Sequence, residues 1–330
     1  MATMNNDFAN ILDVSTRYTQ DGKPLPIAEI LTKRKPIFED IPWQESNTTN
    51  GHRIAVETQL PEAVLRKING GVKASNGGAT NVTEATAQFA SLGVIDKDLA
   101  DMSGNAMDFR VKKNARHIEA IGQKFEDQFF NGTALVPEGL VGLKERYGSL
   151  TGSLKRQILN ASGSGSDLTS IWVVGWGADA TYGIYTKGTK AGIVHEDYGV
   201  DLADDGNGGT FPAYRDWFKL HAGVAIEDPR TVARICNIDF TSLKDAPTPG
   251  TDLILANLLI KATHRIERME SLNTRIYCNR DIFEWLDVQA ANRTILALKH
   301  DELDGKRVTT FRGIPIRVTD SLDWNETQVS

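Results

Sequence analysis

The stretch NAMDFRVKKNARHIEAIGQKFEDQFFNG, residues 105–132, is the longest uninterrupted helical pattern in this chain of 330 residues. Apolar and small residues recur in it at alternating steps of four and three, which places them on one face of an α-helix. These residues are Val111, Ala115, Ile118, Gly122, Phe125 and Phe129. The other face is mostly charged, with Lys112, Lys113, Arg116, Glu119, Gln123, Lys124, Glu126 and Asp127. The pattern predicts a long amphipathic helix with one buried side.

Both ends of this helix carry capping signals. Ser103 or Asn105 can serve as the N-cap, and Asp108 lies near the positive end of the helix dipole. Asn131 followed by Gly132 predicts the stop, because glycine adopts the left-handed conformation at little cost. At about 1.5 Å per residue the helix is roughly 40 Å long, enough to span a small domain. It is either an ordinary core helix or a spine that carries extended β segments.

The composition is that of an ordinary globular protein, with 40% hydrophobic and 24% charged residues. The length suggests two or three lobes. A net charge of -6 argues against a general nucleic-acid-binding protein, although it is compatible with a local basic face. The two cysteines, Cys236 and Cys278, lie in β-like apolar contexts and are expected to be buried and reduced. We expect neither a signal peptide nor a membrane span, because no window approaches 18 apolar residues.

Two segments precede the long helix. Residues 1–36 carry too little apolar surface to fold alone, which indicates an arm that lies on another surface. Residues 37–104 have β patterns, including an edge strand at 37–43, and a strong turn signal at 69–71. This second block is polar, rich in glycine and poor in aromatic residues, so it would make a weak core alone. We predict a long β excursion that finds its partners elsewhere, in a neighbouring subunit.

The remainder of the chain, residues 133–330, mixes strands and helices. The pattern predicts a buried strand at 168–176, short strands between glycines at 182–200, a long hairpin at 217–240 and a final kinked β segment at 309–320. Helices are predicted at 252–269, capped by Thr251, and at 281–291, which residues 294–298 would extend. This order indicates an α+β fold.

Two acidic clusters are candidates for metal binding. The first resembles a calcium loop and consists of Asp201, Asp204, Asp205, Asn207 and Gly208. Its spacing departs from that of a calcium loop, and no glutamate follows at the twelfth position, so a solvated turn explains it better. The second cluster is His195, Glu196 and Asp197, which lacks a second histidine at helical spacing for zinc. We therefore predict no metal-binding residues.

Other chemistry is equally unsupported by the sequence. Residues 162–166 form a Gly-Ser loop without the pattern of a nucleophile elbow, and residues 187–192 are basic and glycine-rich but lack the phosphate-loop spacing. Small basic clusters at 33–35 and at Lys112, Lys113 and Arg116 are ordinary solvated faces, or would contact DNA non-specifically if they line a DNA-filled space. The sequence predicts no catalytic and no cofactor-binding residues.

The order of these parts resembles the major capsid protein of tailed bacteriophages, whose fold is called HK97-like. The junction after the long helix carries the resemblance best: residues 125–132 and 137–143 match an E…F-x-N-G run followed by G-L-x-G. Residues 182–199 and 228–239 resemble runs in the capsid proteins of epsilon15-type short-tailed phages, and residues 310–316 resemble the late G-x-P strand of the fold.

This resemblance covers nearly the whole chain and implies its domain organisation. It implies an N-terminal arm at 1–36, an extended β loop region at 37–104 and a spine helix of the peripheral domain at 105–132. Residues 133–330 would form the axial domain and the remaining strands of the peripheral domain. The resemblance implies a structural subunit, not an enzyme, which assembles into hexamers and pentamers of an icosahedral shell around double-stranded DNA.

The resemblance also implies partners and a location. The loop would overlap a neighbour in the virion capsid, which assembles in the bacterial host cytoplasm and contacts packaged DNA non-specifically, without a membrane. The short segment before the β region favours a separate scaffolding protein; a portal and a decoration protein are further implied partners. Some relatives crosslink a lysine to an asparagine, and Lys67 and Lys73 lie in the loop, but nothing selects a partner for them.

Two alternative functions remain open at this point. The first is the shell of a bacterial nanocompartment that holds cargo, because such shells share the fold. The second is a cytosolic α+β enzyme with its site around residues 182–198, although no cleft or activated group is indicated there.

Overall fold

The computed structural model describes residues 35–49, 51–102, 104–204, 206, 208–243, 254–291, 298–303 and 306–330. The predicted arm lies outside these residues except at its last two positions. Thr251, which was predicted to cap a helix, also lies outside them, as do residues 294–297, which were predicted to extend another. Within the described ranges, no helix is long and apolar enough to cross a membrane.

The helices are α1 (Ile37–Asp40), α2 (Lys97–Met102), α3 (Ala106–Asn131), α4 (Leu143–Arg146), α5 (Leu255–Thr263) and α6 (Arg280–Ala291). The first strands are β1 (Trp43–Glu45), β2 (His52–Gln59), β3 (Gly78–Glu84), β4 (Thr86–Asp96), β5 (Ile158–Asn160), β6 (Leu168–Trp176) and β7 (Thr181–Tyr185). The later strands are β8 (Ile193–Asp204), β9 (Thr210–Ile226), β10 (Val232–Asp239), β11 (Asn273–Cys278), β12 (Leu298–Leu303), β13 (Lys306–Phe311) and β14 (Ile314–Val318). The α+β class is confirmed.

Twelve of these strands form one mixed sheet, and β2 and β3 form a separate antiparallel pair. At one end of the large sheet, β4 pairs with β9 over its whole length, and β8 pairs with the opposite edge of β9. At the other end, β6 lies between β10 and β11. All nine residues of β6 are buried, as the apolar run at 168–176 predicts.

Helix α3 confirms the predicted spine and its buried face. The six residues predicted to face inward are all buried. From its middle to its C-terminal end, Ile118, Phe125 and Phe129 belong to an apolar core that also contains Phe89 of β4 and Phe218 of β9. A second core joins α5 and α6 to the other face of the central strands. The spine therefore organises one core, and α5 and α6 organise the other.

Two details of the spine differ from the prediction. Glu126 is buried rather than solvated, and its carboxylate pairs with Lys35 at 2.7 Å. Gly132 has a φ of −56°, so it does not end the helix in the left-handed conformation. Of the two N-cap candidates, the structure selects Asn105, whose side chain accepts a hydrogen bond from the Asp108 N–H.

The segment at 37–43 is not the edge strand that the sequence predicts. Pro36 has a helical φ of −56°, and α1 follows it for one turn before β1 begins at Trp43. Ile37, Phe38 and Asp40 are all buried. A single helical turn presents these three side chains to the core together, which the alternation of a strand would not do.

The predicted hairpin at 217–240 is also wrong, although both of its strands exist. Strand β9 pairs with β4, β7 and β8, whereas β10 pairs with β5 and β6. Between the two strands, Asp228 begins a short 3-10 turn that carries the chain to another part of the sheet. Similarly, α5 ends at Thr263 instead of residue 269, and Arg268 takes a left-handed φ of 57°. Leu298 begins β12 instead of extending α6.

Candidate assembly surface

The most exposed part of the structure is the extended hairpin, residues 52–84, which consists of β2, β3 and the connecting residues 60–77. The two strands pair from His52 opposite Glu84 to Gln59 opposite Gly78. The connecting residues contain no regular strand and turn at Asn69, whose φ is 66°. The predicted β excursion at 37–104 is correct only for residues 52–84, because β1 pairs with β7, β4 pairs with β9, and Phe38 and Phe89 lie in the main core.

The root of the extended hairpin is firmly attached to the body of the protein. Ile54 packs in a small core with Tyr182, Ile184 and Ala225. The Tyr182 hydroxyl lies 3.1 Å from His52 Nε2, a hydrogen bond between root and sheet. Burial, together with the nearby Glu227 carboxylate, raises the pKa of Tyr182 to about 12, so this hydroxyl stays protonated.

A salt bridge and a close backbone approach complete the root. The two terminal nitrogens of Arg146 each donate to a separate oxygen of Glu84. Bidentate pairs of this kind fix orientation as well as adding energy. Gly51 has a φ of 142°, and a Cβ there would lie 2.3 Å from the Glu84 carbonyl oxygen. The root therefore holds the hairpin at a defined angle.

Beyond its root, the extended hairpin exposes apolar side chains. Leu60 is 75% exposed and Ile68 is 95% exposed. Val64, Leu65, Val72 and Val82 are exposed as well. Six large apolar side chains exposed on one segment favour an interaction site there. Hydrogen bonds restrain the conformation of the tip: the Ser75 hydroxyl bonds to both backbone groups of Glu62, and Arg66 Nε donates to the Gly70 carbonyl.

A second exposed apolar surface covers the outer face of the sheet formed by β4, β8 and β9. Side chains on alternate positions of β4 point away from α3, and Leu92 is the most apolar of them. Tyr198 of β8 is exposed as well. A shallow hollow is lined by Leu92, Tyr198, Val200, Asp201, Arg215 and Trp217. The sheet therefore has a buried inner face and an open outer face.

The inner face of that sheet holds the N-terminal half of α3 by polar contacts. Arg110 contacts Asp216 of β9 at 3.0 Å and Asp197 of β8 at 2.9 Å. His195 Nε2 lies 2.9 Å from the same Asp216 oxygen. Burial acts to raise the pKa of Asp216, but the hydrogen bond from His195 and the charge of Arg110 outweigh it and hold that pKa below its ordinary value of 3.8. Asp216 is therefore charged at neutral pH.

The junction after α3 depends on two glycines. The Gly132 N–H donates to the Gln128 carbonyl, and the Gly142 N–H donates to the Gly132 carbonyl at 3.0 Å. A Cβ at Gly132 would lie 2.2 Å from the Leu140 carbonyl oxygen, and one at Gly142 would lie 2.6 Å from the Gly132 nitrogen. The two backbone segments touch here, so the N-G and G-L-x-G motifs have a steric cause.

Two buried carboxylates, Asp40 and Glu326, form ion pairs that tie distant segments to the central strands. Asp40 accepts hydrogen bonds from Arg275, Arg317 and the Tyr277 hydroxyl, which joins α1 to β11 and β14. Arg234 of β10 is fully buried and pairs with Glu326 at 2.8 Å. Sequence reasoning missed the pairs of both carboxylates. The one available signal is a charged residue inside an apolar run, as in VARICNI around Arg234.

The acidic clusters considered for metal binding are ordinary ion pairs and turns. Alternate residues of β8 point to opposite faces, so Asp197 reaches Arg110 whereas Glu196 reaches Lys219, at 2.6 Å. Asp201 pairs with Arg215, and Asp204 accepts a hydrogen bond from the Gly206 N–H. Asp205 and Asn207 lie outside the described residues. Within the described ranges, no group of three His, Cys, Asp or Glu side chains could hold a metal.

The remaining sequence candidates have structural roles. In the basic run at 187–192, Gly188 has a left-handed φ of 80° and its N–H bonds to Glu45 of β1, so the run is a turn. Cys236 and Cys278 are free and buried, as predicted. Burial raises the pKa of the Cys278 thiol to about 12, so it is not an activated nucleophile.

The long helix across a mixed sheet, the tied junction and the extended hairpin together define a shell-forming subunit with the HK97-like fold. A family model described as Major capsid protein GP7 matches residues 19–330, and the chain belongs to this family. It is a structural protein of a phage capsid, not an enzyme, and a capsid protein builds a homo-oligomeric shell.

Two solved structures are similar to this chain to different degrees. The chain is 31% identical to a chain in the cryo-EM structure of bacteriophage Epsilon15, with a TM-score of 0.70; the match covers 100% of this chain and 99% of that one. A chain of the SrpI encapsulin complex from Synechococcus elongatus PCC 7942 is 11% identical over 66% of this chain and 91% of its own, with a lower TM-score of 0.41. No curated protein matches the chain.

Proposed function

We propose that this subunit assembles into hexamers and pentamers of an icosahedral capsid around packaged double-stranded DNA. Assembly takes place in the bacterial host cytoplasm, with a separate scaffolding protein; a portal and a decoration protein are the further partners. Residues 1–36 serve as the arm, 37–104 as the loop region and 105–132 as the spine of the peripheral domain. Residues 133–330 supply the axial domain and the other peripheral strands.

One observation carries this proposal: the extended hairpin has a fixed root and an apolar, unburied tip. Each Å² of apolar surface removed from water contributes about 25 cal/mol. Leu60, Leu65 and Ile68 gain nothing from this term in the isolated chain, since all three are exposed. Burial against a neighbouring subunit recovers it, and the fixed root reduces the entropy that such docking would cost. The tip is therefore the part through which one subunit overlaps the next.

Electrostatics supports a non-specific contact with DNA. The solvent face of α3 carries Lys112, Arg116 and Lys124, all exposed, within a chain of net charge -6. Lys112 and Lys124 each have an acidic neighbour on the same helix, which limits their attraction for phosphate. A contact of this kind weakens steadily as the salt concentration rises and carries no sequence preference.

The proposal is tested by the double variant Leu65→Ser, Ile68→Ser in assembly reactions with the scaffolding protein. Both side chains are exposed in the isolated subunit, so its free energy of unfolding should change by no more than about 0.5 kcal/mol. We expect the variant to remain a folded subunit and to lose shell formation, measured by sedimentation. A matched control is Leu135→Ser, which removes an equally exposed leucine outside the hairpin. Normal shells from the double variant would contradict the proposal.

A further inference from the structure

The extended hairpin also contains a sequence that can react spontaneously, namely asparagine followed by glycine. In such a pair the backbone nitrogen of glycine can attack the side-chain amide carbon of asparagine. Glycine permits this because it has no side chain to hinder the approach of its nitrogen. The chain has five such pairs: 50–51, 69–70, 76–77, 131–132 and 207–208. Asn50 and Asn207 lie outside the described residues, which leaves three environments to compare.

The pair at the end of α3 is locked. The Asn131 amide nitrogen donates to Asp127 at 3.2 Å and to the Ser321 carbonyl at 2.8 Å. The attacking group is held as well, because the Gly132 N–H donates to the Gln128 carbonyl at 3.0 Å. Neither the amide carbon nor the nitrogen can turn toward the other. Asn131 is therefore protected as long as the protein is folded.

The pair at the tip of the extended hairpin is partly restrained. Asn69 is exposed, but its backbone is fixed in the left-handed conformation with a φ of 66°. The Gly70 N–H donates to the Lys67 carbonyl at 3.0 Å, and the Gly70 carbonyl accepts from Arg66. The nucleophile must leave this turn before it can attack. Asn69 therefore serves as the comparison for Asn76, because it is exposed but the glycine N–H that follows it is hydrogen-bonded.

The third pair, Asn76 and Gly77, has neither restraint. Both residues are exposed, and within the described part of the chain neither the Asn76 amide nor the Gly77 N–H has a hydrogen-bond partner. The loop is fixed immediately before it, where Ser75 bonds to Glu62, and immediately after it, where Gly78 pairs with Gln59. A Cβ at Gly77 would lie 2.8 Å from the Gln59 carbonyl oxygen, so the fold itself favours glycine at this position.

We propose that Asn76 is a site of spontaneous deamidation. The Gly77 nitrogen loses its proton and forms a bond to the Asn76 side-chain carbon, and the amide nitrogen departs as ammonia. Water then opens the resulting five-membered ring at either carbonyl, which leaves aspartate or isoaspartate. The balance is one water consumed and one ammonia released, with no oxidant and no other reactant.

The product alters the extended hairpin at the point where the connecting residues 60–77 enter β3. Either product adds a negative charge to a loop whose nearest charged residue in sequence is Lys73. Isoaspartate also routes the backbone through the side chain, which adds one methylene directly before the pairing of Gly78 with Gln59. If the loop is covered by a neighbour in the shell, which rests on the proposed function, conversion is slower in shells than in free subunits. Subunits that remain unassembled for longer than the conversion of Asn76 takes would then lose the loop geometry needed for assembly.

Peptide mapping by mass spectrometry tests the proposal on the full-length protein, incubated at mildly alkaline pH as free subunits. We expect Asn76 to convert several-fold faster than Asn69, while Asn131 stays intact. Asn76→Gln is the control, because glutamine must close a larger ring and reacts far more slowly; it should abolish conversion at position 76 and leave Asn69 unchanged. Conversion of Asn69 at the same rate as Asn76, or no conversion at Asn76, would overturn the proposal.

A second arm of the same experiment separates this inference from the proposed function. Assembled shells are incubated beside free subunits, and conversion at Asn76 is compared between them. Slower conversion in shells supports both claims. Equal rates would leave the deamidation site standing and would contradict burial of the loop between subunits.

Discussion

Gly132 and Gly142 show how single residues set the path of the chain after the spine. Each would place a Cβ within 3 Å of backbone atoms of the other segment, and backbone cannot move aside as a flexible side chain can. The glycines of this sequence motif are therefore explained by the close contact between two segments of the same chain. The prediction from sequence found the correct position for the helix end but gave the wrong reason, because a positive φ and a close approach both select glycine.

We predict that Gly132→Ala destabilises the subunit by about 1–3 kcal/mol, the usual cost of forcing an extra group into a packed site. Urea unfolding of the isolated subunit measures the change. Gly71→Ala is the matched control, because a Cβ at Gly71 meets no atom within 4 Å. Its free energy of unfolding should shift by no more than about 0.5 kcal/mol. Equal effects of the two substitutions would show that the junction is looser than described.

Phe125 provides the second residue-scale test. Its side chain is fully buried, and its ring lies 4.9 Å from that of Phe38 and 5.8 Å from those of Trp43 and Phe89. We predict that Phe125→Asp prevents folding, because an unpaired carboxylate at this position costs several kcal/mol. Phe125→Leu, which stays apolar, should fold with reduced stability by circular dichroism and urea titration. A soluble, assembling Phe125→Asp subunit would refute the assigned core.

Glu126 illustrates where residue-level prediction fails. Helical periodicity counts a charged residue as solvated, and it placed Glu126 on the outer face with its charged neighbours. The structure buries it because Lys35, more than ninety positions earlier in the chain, supplies a partner. A pairing between such distant segments leaves no local pattern. The same holds for Asp40 and for Arg234, whose partners lie near the end of the chain.

At the scale of elements, α3 is attached differently along its two halves. The C-terminal half packs through aromatic and aliphatic side chains, whereas the N-terminal half buries the smaller Val111 and Ala115 and adds the ionic contacts of Arg110 with β8 and β9. Gly93 of β4 lets the helix approach, since a Cβ there would lie 2.8 Å from the Asn114 side chain. The stability that apolar burial contributes does not change with pH, but the stability that the ionic contacts of the N-terminal half contribute does.

We predict that the attachment of the N-terminal half weakens in acid. The pKa of Asp216 is lower in the folded protein than its ordinary value of 3.8, so the charged form stabilises the fold. This contribution is complete above that ordinary value and is lost as the pH falls through the lowered pKa. Hydrogen exchange should show the first turns of α3 opening in acid before the turns around Phe125. Simultaneous opening of both halves would contradict this division.

Substitution of the same carboxylate gives a test at neutral pH. Asp216→Asn should cost about 2 kcal/mol, because Arg110 and His195 lose a charged, buried acceptor. Asp201→Asn is the control, since its pair with Arg215 is solvent-exposed and worth less than about 1 kcal/mol. The acid loss of stability should also be smaller in the Asp216→Asn variant than in the unmodified subunit.

Elements were predicted from sequence to different degrees, for identifiable reasons. The spine and β6 are long or wholly apolar, so their own patterns determine them. The helix α1 was mistaken for a strand because four residues are too few to show a period. Strands β9 and β10 were each recognised, but alternation states only that a residue faces a core. It does not identify the neighbouring strand, and the 3-10 turn at Pro229 separates the two.

At the scale of the whole molecule, the extended hairpin is the part least explained by the isolated chain. It is anchored at its root and exposes leucine, isoleucine and valine along its length. The prediction from sequence assigned this imbalance to too long a block, 37–104, because the strands β1 and β4 pair within the large sheet and Phe38 and Phe89 lie in its core. Which surface covers the hairpin is part of the proposed function and does not follow from the isolated chain.

Electron microscopy of the product assembled from this subunit and its scaffolding protein tests the central claim most directly. We predict closed icosahedral shells in which the extended hairpin of each subunit lies on a neighbour and the side chains of Leu65 and Ile68 are covered. A monodisperse monomer under all assembly conditions, or shells in which the hairpin remains free in solvent, would contradict the account.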